Sequence, residues 1–291
     1  MCDIIKNNIK YIALKALRIA FTISTIISMY EIAISKIIDG NAAIIKTIGI
    51  LVLTFFCIHV MSFIVVSVFL YLLKNKEVFS TDKHSVFIHF DDLFDNPIVN
   101  DKSEPKYIVI SVNRCFDTIV NNELISEKTL HGKVLKNLYD EKKYTEETLQ
   151  ATINNNLKHS DYETISKEDK PQGNLRRYNI GTIAKVDDSN TKSYFFLAMS
   201  TFDKNLNAHT SKLDYILSIQ NLVEYCNKNS QGYPVLMPLL GSGLSRTGLD
   251  CYSDILRYLI NSLRLNKDII NCDFHIYIRP QDKSKINFYN L

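Results

Sequence analysis

The residues from Thr47 to Leu73 contain no Asp, Glu, Lys or Arg, and this run limits the chain more than any other feature. About 20 apolar residues in a helix cross the hydrocarbon core of a bilayer, and this run is longer. Lys46 and Lys74 bracket it, as anchors in the two headgroup layers would. Its length and its distance from Met1 argue against a cleaved signal peptide. A weaker apolar segment precedes it. Ile19 to Tyr30 is uncharged, with Arg18 before it and Glu31 after it. Extended to Ile38, it spans if Arg18 snorkels and Glu31 lies near the far interface or faces a partner helix. The alternative is an amphipathic helix lying in the interface. The sequence therefore predicts an N-terminal transmembrane hairpin over 1–77, with helices over about 17–38 and about 47–73.

With both helices spanning, 36–46 is a short external loop. Lys6, Lys10, Lys15 and Arg18 then share a side with Lys74 and Lys76, and this positive charge places the rest of the chain in the cytoplasm. The cysteines fit that side. Cys2, Cys57, Cys115, Cys226, Cys251 and Cys272 form no Cys-x-x-Cys pair and stand at no metal-ligand spacing with a histidine. They read as free thiols of a reducing compartment, and no metal site is expected. The 34 Lys and Arg against 31 Asp and Glu include no basic block, which argues against a nucleic-acid partner. Inside the hairpin, Thr22, Thr25 and Ser28 recur every third position, Ser24 lies one turn before Ser28, and His59 sits mid-run. These fit helix packing through small polar side chains, or a polar path lined by several copies.

Residues 78–291 change character. After a short connector, Val78 to Lys83, six apolar runs read as strands: Ser85–Phe90, Tyr107–Val112, Tyr178–Val186, Ser193–Met199, Pro234–Leu239 and Asp273–Arg279. Several are nearly continuous in Ile, Val, Phe and Leu, as strands buried on both faces are. Helical patterns lie between them. Leu130, Val134, Leu135 and Leu138 share one face. Leu213, Ile216, Leu217, Gln220 and Val223 form another, opened by the capping pattern Ser211-x-x-Asp214. Leu249, Tyr252, Ile255, Leu256 and Leu259 form a third. The alternation predicts a three-layer α/β/α domain on a mixed, mainly parallel sheet. Glu141 to Asn174 breaks the rhythm and reads as a solvated surface insertion, or as a lid or oligomer contact, with one helix near Glu146–Leu157 and a turn at Pro171-Gln172-Gly173.

Three loops could carry ligand chemistry. A buried strand runs through Pro238 into Gly241-Ser242-Gly243-Leu244-Ser245-Arg246, followed by a helix. Such a turn aims backbone N–H groups at an anion, and Arg246 could add a bidentate contact; an ordinary tight turn is the alternative. The second strand ends in Asn113-Arg114-Cys115-Phe116-Asp117, and His131-Gly132 opens a helix downstream. Asn113 could read a ribose hydroxyl and Gly132 could admit a phosphate, but an Asx turn, a cap at Asp117 and a surface His131 explain the same residues. At the end of the first strand, Asp92 could accept the amine of an adenine or simply cap a helix.

In this order the three loops resemble the ligand loops of macro domains, which bind ADP-ribose derivatives. Asp92 matches the family's adenine-recognising Asp, although Asp91 stands where that motif has Gly. Asn113 matches the ribose-side Asn. Gly132 falls where the family has a Gly-rich first phosphate loop, without its triple glycine. Gly241 to Arg246 match the second phosphate loop. The phrases SVNRCFDT, TLHGKV and MPLLGSGLSRTGL behind two membrane helices look like the membrane-bound macro-domain effectors of Thoeris anti-phage systems, over nearly the whole chain.

That resemblance implies a bacterial inner-membrane, multi-pass effector of antiviral defence by abortive infection. A partner TIR-domain enzyme consumes NAD and supplies a nucleotide signal of the ADP-ribose type, with a histidine conjugate the best candidate. The macro-like domain binds it, the chain oligomerises, and the helices damage the membrane. No cofactor is expected. The site residues it implies are Asp92, Asn113, Asp117, His131, Gly132, Gly241, Ser242, Gly243, Leu244 and Arg246. Asp117, His131 and Cys115 are the only candidates for hydrolysing an ADP-ribose ester, and no pair of them has a diagnostic spacing. A sensor is therefore favoured over a membrane-anchored hydrolase or an ADP-ribose-binding scaffold.

Overall fold

A computed structural model describes residues 1–35, 41–243 and 251–290. Part of the expected external loop, together with Leu244 and Arg246, lies outside the described residues. The chain divides into two compact units, Met1–Lys74 with Gln281–Leu291, and Asn75–Pro280.

The first unit holds helices α1, Cys2–Ser35, and α2, Asn41–Leu72. Cys2–Ser28 and Ile48–Leu72, of 27 and 25 residues, are long and apolar enough to cross a membrane. At about 1.5 Å per residue the second reaches roughly 37 Å, more than a hydrocarbon core of about 30 Å requires. The helix of the first span starts well ahead of position 17, so Lys6, Lys10, Lys15 and Arg18 lie on α1 itself. Asn8, Ile12, Ala16 and Ala20 are buried at four-residue spacing, as are Ser62, Val66 and Leu70 of α2. Small residues on this stripe let the helices approach closely. The hydroxyl stripe lies elsewhere. Thr22 and Thr25 are exposed on the hairpin, and each donates back along its own helix, to Arg18 O at 3.0 Å and Phe21 O at 2.8 Å. A hydroxyl satisfied in this way tolerates an apolar surround. Val52, Leu53, Phe56, Val65 and Phe69 are each more than half exposed, which gives α2 an outer surface suited to lipid.

In the second unit, β1, Asn75–Ser80, and β2, Ser85–Phe90, form a hairpin, followed by the one-turn helix α3, Pro97–Asn100. Next come β3, Lys106–Asn113, and helices α4, Leu130–Asp140, and α5, Glu146–Asn156. The short strands β4, Tyr162–Thr164, and β5, Arg176–Tyr178, pair with each other. Strands β6, Ile183–Ser189, β7, Lys192–Phe202, and β8, Ala208–His209, lead to α6, Lys212–Asn229. Then β9, Val235–Pro238, α7, Tyr252–Leu265, and β10, Phe274–Ile278, complete the domain.

The main sheet runs β1-β2-β10-β9-β3-β7-β6, with β8 added to β7. The neighbours from β2 through β10, β9 and β3 to β7 are parallel, and β1 and β6 close the edges antiparallel. Continuous apolar strands such as Tyr107–Val112 occupy the middle because helices cover both faces there. On one face, Val134, Leu135 and Leu138 of α4 and Leu149 and Ile153 of α5 share a core with Ile108, Ile110 and Val112. On the other, Tyr225 of α6 meets the ring of Phe195 edge-on at 5.1 Å.

Three expectations change. The stretch expected as a connector is partly strand: Asn75 to Ser80 pairs with β2, and its polar alternation is that of an edge strand. The run Tyr178–Val186 is two strands separated by a turn with Gly181 at φ 76°. The segment Glu141 to Asn174 is mostly exposed, as a surface insertion would be, but it is anchored in the domain. Leu149, Ile153 and Leu157, four residues apart, enter the main core, and Lys170 is fully buried. Its polar composition belongs to the outer faces of elements whose inner faces are apolar.

Candidate functional site

The sheet order reverses between β3 and β9. From β3 the chain winds outward to β7, whereas from β9 it winds the opposite way to β10. Adjacent parallel strands whose crossovers leave in opposite directions open a crevice at their carboxyl ends, where α/β domains bind ligands. The loop after β3 begins with Asn113, and the loop after β9 is Leu239 to Gly243 and beyond. Asp91 and Asp92 follow β2 on the same edge, with β10 between β2 and β9.

The β9 loop is shaped by local bonds. Leu239 N donates to Tyr277 O at 2.9 Å, which fixes the end of β9 to β10. Ser242 then turns back, its Oγ donating to Leu239 O at 2.6 Å. Gly241 sits at φ 84°, a conformation that a side chain would strain. Gly243 is exposed, and a Cβ placed there would meet nothing within 4 Å. Its bare backbone is thus a matter of access, not packing. At α7, which follows, Cys251 supplies no side-chain cap.

The other expected residues are more tightly engaged. Asn113 Oδ1 accepts from Cys115 N at 2.9 Å, an Asx turn. Asp117 is buried and paired with Lys170, whose Nζ lies 2.9 Å from Oδ2 and also donates to Gln172 O and Asn174 O at 2.7 and 2.8 Å. Asn174 N donates to Asp117 Oδ1 at 2.6 Å. Burial holds the Asp117 carboxyl above its ordinary range, outweighing the attraction of Lys170. Asp92 Oδ1 accepts from Phe94 N at 3.0 Å, while Asp91 accepts from Asp92 N and from Asn96 Nδ2. Asn96 in turn accepts from the Tyr277 hydroxyl at 3.2 Å. Gly132 N donates to the Thr129 cap at 3.0 Å, and a Cβ on Gly132 would lie 2.2 Å from Ser126 O. Close backbone approach explains that glycine.

His131 is a core residue and not a surface one. It is buried edge-on to Phe196 at 5.5 Å, and loss of solvation lowers its pKa to about 3. The unfolded chain therefore binds a proton near pH 6.5 that the folded chain refuses until about pH 3. Stability must fall as pH drops from 6.5, by about 2 kcal/mol from this group at pH 5. His131→Phe is expected to remove that share of the acid sensitivity. Urea midpoints at pH 7 and pH 5 check it, and an equal acid loss in the variant refutes the assignment.

The structure thus joins Asn113 and Asp117 in one loop network and places Gly241, Ser242, Gly243 and Asp92 along the same sheet edge, while His131 and Gly132 belong to the packing of α4. The sequence reading missed Lys170, Asn174 and Gln150. Asn174 Nδ2 donates to Cys115 O, Phe116 O and Gln150 Oε1, and so ties the later segment to the β3 loop. A cleft of about 200 Å³ lies there, lined by Asp117, Glu146, Glu147, Gln150 and Asn174 among others. Its carboxylates would repel a diphosphate, which leaves the β9 loop as the better candidate for an anion. Among the described residues, no group of three or more His, Cys, Asp or Glu could hold a metal ion.

A mixed, mainly parallel α/β sheet with the Gly241–Gly243 turn at its carboxyl edge has a macrodomain-like fold. The family model described as "Thoeris protein ThsA, Macro domain" matches residues 86–279, more than half of the chain, and the chain belongs to that family. Thoeris protein ThsA of Bacillus amyloliquefaciens (strain Y2) is 28% identical over 227 residues, covering 76% of this chain and 71% of the relative. A variant macrodomain from Oceanobacillus iheyensis aligns over 73% of this chain and 93% of its own, with 9% identity and a TM-score of 0.43. The structure described as that organism's macrodomain with ADP aligns over 72% and 91%, with 8% identity and a TM-score of 0.39.

Proposed function

We propose that the chain is a membrane effector of anti-phage defence, whose Asn75–Pro280 unit senses an ADP-ribose-derived signal. The observation that carries this reading is the Gly241–Gly243 loop at the reversal point of the sheet, in a chain of the Thoeris ThsA family that also bears two apolar helices. Backbone N–H groups there suit a diphosphate. The TIR-domain partner that consumes NAD, the histidine conjugate as best candidate for the signal, and the inner-membrane placement with a cytoplasmic domain all belong to this proposal. Oligomers form on activation, and the helices then breach the membrane.

Sensing is favoured over hydrolysis by the state of the would-be catalytic groups. Asp117 is committed to Lys170, His131 holds no proton above about pH 3, and burial pushes the Cys115 thiol up to about 11. Neither His131 nor Cys115 is poised near neutral pH to move a proton, and the Asp117 oxygens are taken up by Lys170 and Asn174. The test is calorimetry on detergent-solubilised full-length protein with ADP-ribose and its histidine conjugate. Gly243→Val is expected to abolish binding with an unchanged melting temperature, since the added atoms meet open space and only the ligand path is blocked. Arg246→Ala should weaken binding by about 1.5–3 kcal/mol, the worth of a charged hydrogen bond. Chromatography should recover the ligand intact. Unchanged affinity in both variants would place the pocket elsewhere, and turnover would make the protein an enzyme.

A further inference from the structure

Helix α1 departs from helical geometry at one residue, Asn8, with φ −118° and ψ 15°. Kinks of this kind arise where a side chain or another segment intrudes on the i to i−4 ladder. Here the intruder is the C-terminal segment. Asn8 is buried, and its Nδ2 donates to Ile4 O at 3.0 Å and to Ile286 O at 2.9 Å. Its Oδ1 accepts from Phe288 N at 2.6 Å. One asparagine thus answers both a carbonyl and an amide of a strand of chain nearly 280 positions away. Asn7 Nδ2 adds a bond to Ser284 O at 2.7 Å, and Ile286 and Phe288 are fully buried.

The same segment grips the other helix. Lys283 is buried and its Nζ donates to Tyr71 O at 2.7 Å and to Leu73 O. These carbonyls lie at the end of α2, where a helix has unpaired acceptors and a partial negative charge. The stretch 281–288 therefore pins the start of α1 to the end of α2. It reaches them directly from β10, since only Arg279 and Pro280 intervene between Ile278 and Gln281. Ile278 pairs with Phe90, and Asn75, the first residue of β1, pairs with His89. Both points at which the chain leaves the sheet thus lie at its carboxyl edge, the edge that carries the Gly241 loop.

We infer that the C-terminal segment is a lock, holding α1 bent and tied to α2 in the resting state until ligand at the carboxyl edge of the sheet releases it. The inference rests on the proposed function and adds its regulation. Release lets Asn8 return to helical geometry and frees the cytoplasmic ends of the hairpin. Removing the lock by mutation must then mimic ligand. Because coupling is reciprocal, it must also leave the affinity for ligand unchanged or tighter.

The test uses the full-length chain in vesicles of phosphatidylethanolamine and phosphatidylglycerol. Asn8→Ala removes the clamp on α1, and Lys283→Met removes the donor to α2 while keeping an apolar stem. Each is expected to raise dye leakage without ligand about tenfold or more over the wild type, with ADP-ribose affinity no weaker than before. A melting curve in detergent verifies that each variant is folded, and the two variants act on different helices, so misfolding of one leaves the other decisive. Leakage that stays dependent on ADP-ribose in both variants, as in the wild type, overturns the lock while leaving the effector reading in place. No leakage from wild type or variants under any condition overturns the effector reading and the lock together.

Discussion

Replacing Lys170 with alanine is expected to destabilise the domain by about 3–5 kcal/mol, the cost of stripping one partner from a buried ion pair. Lys170 and Asp117 side chains are each only 1% exposed, so water cannot replace the lost ammonium. The damage should not stop at one contact. The same ammonium satisfies Gln172 O and Asn174 O, and Asn174 links the Cys115 and Phe116 carbonyls to Gln150 on α5. Losing the lysine leaves a carboxylate and two carbonyls underground, each a desolvated group without its partner. An apolar pair should be far milder: Asp117→Leu with Lys170→Met is expected to lose less than the sum of the single changes by at least about 1 kcal/mol. Urea unfolding of the four members of the cycle measures this. Strictly additive losses would mean that the two charges do not stabilise each other.

This pair also marks the limit of what the sequence made legible. The buried strands and amphipathic helices could be read because each announces itself within ten or so residues, through continuous Ile and Val or a four-residue apolar spacing. The cap Ser211 with Asp214 was legible for the same reason, and both halves of the box form. Lys170 and Asp117 stand 53 positions apart, and nothing local distinguishes this lysine from its solvated neighbours. His131 was expected at a ligand loop, with a surface position as the alternative; its neighbours on α4 hide the fact that its ring meets Phe196, which sits on β7. Gly132 and Gly243 look alike in the sequence. Only the structure separates a glycine forced by backbone contact with Ser126 from one facing open space. At the hairpin the spans were legible from the absence of charge, but which stripe joins the helices was not. The apolar Ile12, Ala16 and Ala20 do so, and the hydroxyls of Thr22 and Thr25 point outward.

That outward stripe motivates the largest effect expected of the protein. Ligand should convert vesicles containing the full-length chain from intact to leaky, and should raise the oligomeric state of the detergent-solubilised protein. Two helices are too few to enclose a water path, because each needs neighbours to keep its polar surface out of lipid. The hairpin carries polar groups that its own fold does not satisfy. Ser24 Oγ and His59 Nδ1 are buried without a hydrogen-bond partner, and His59 is stacked on Phe55 at 6.4 Å. Such groups are costly in a membrane interior, and a turn of the helices that exposes them to further copies is a direct way to satisfy them. A switch from roughly 1% to 99% active requires the ligand to favour the active state by about 5.5 kcal/mol. A single site would have to supply all of it, whereas several subunits that switch together divide it among their ligands. The response to ligand should therefore be sigmoidal, steeper than one-site binding, and absent in Gly243→Val. Replacing His59 with leucine should leave binding intact and reduce leakage, since the change removes a polar group from the path without touching the sensor. Leakage of equal size with and without ligand would dispose of gating. A hyperbolic response at constant oligomeric state would dispose of shared switching and leave each chain to act alone.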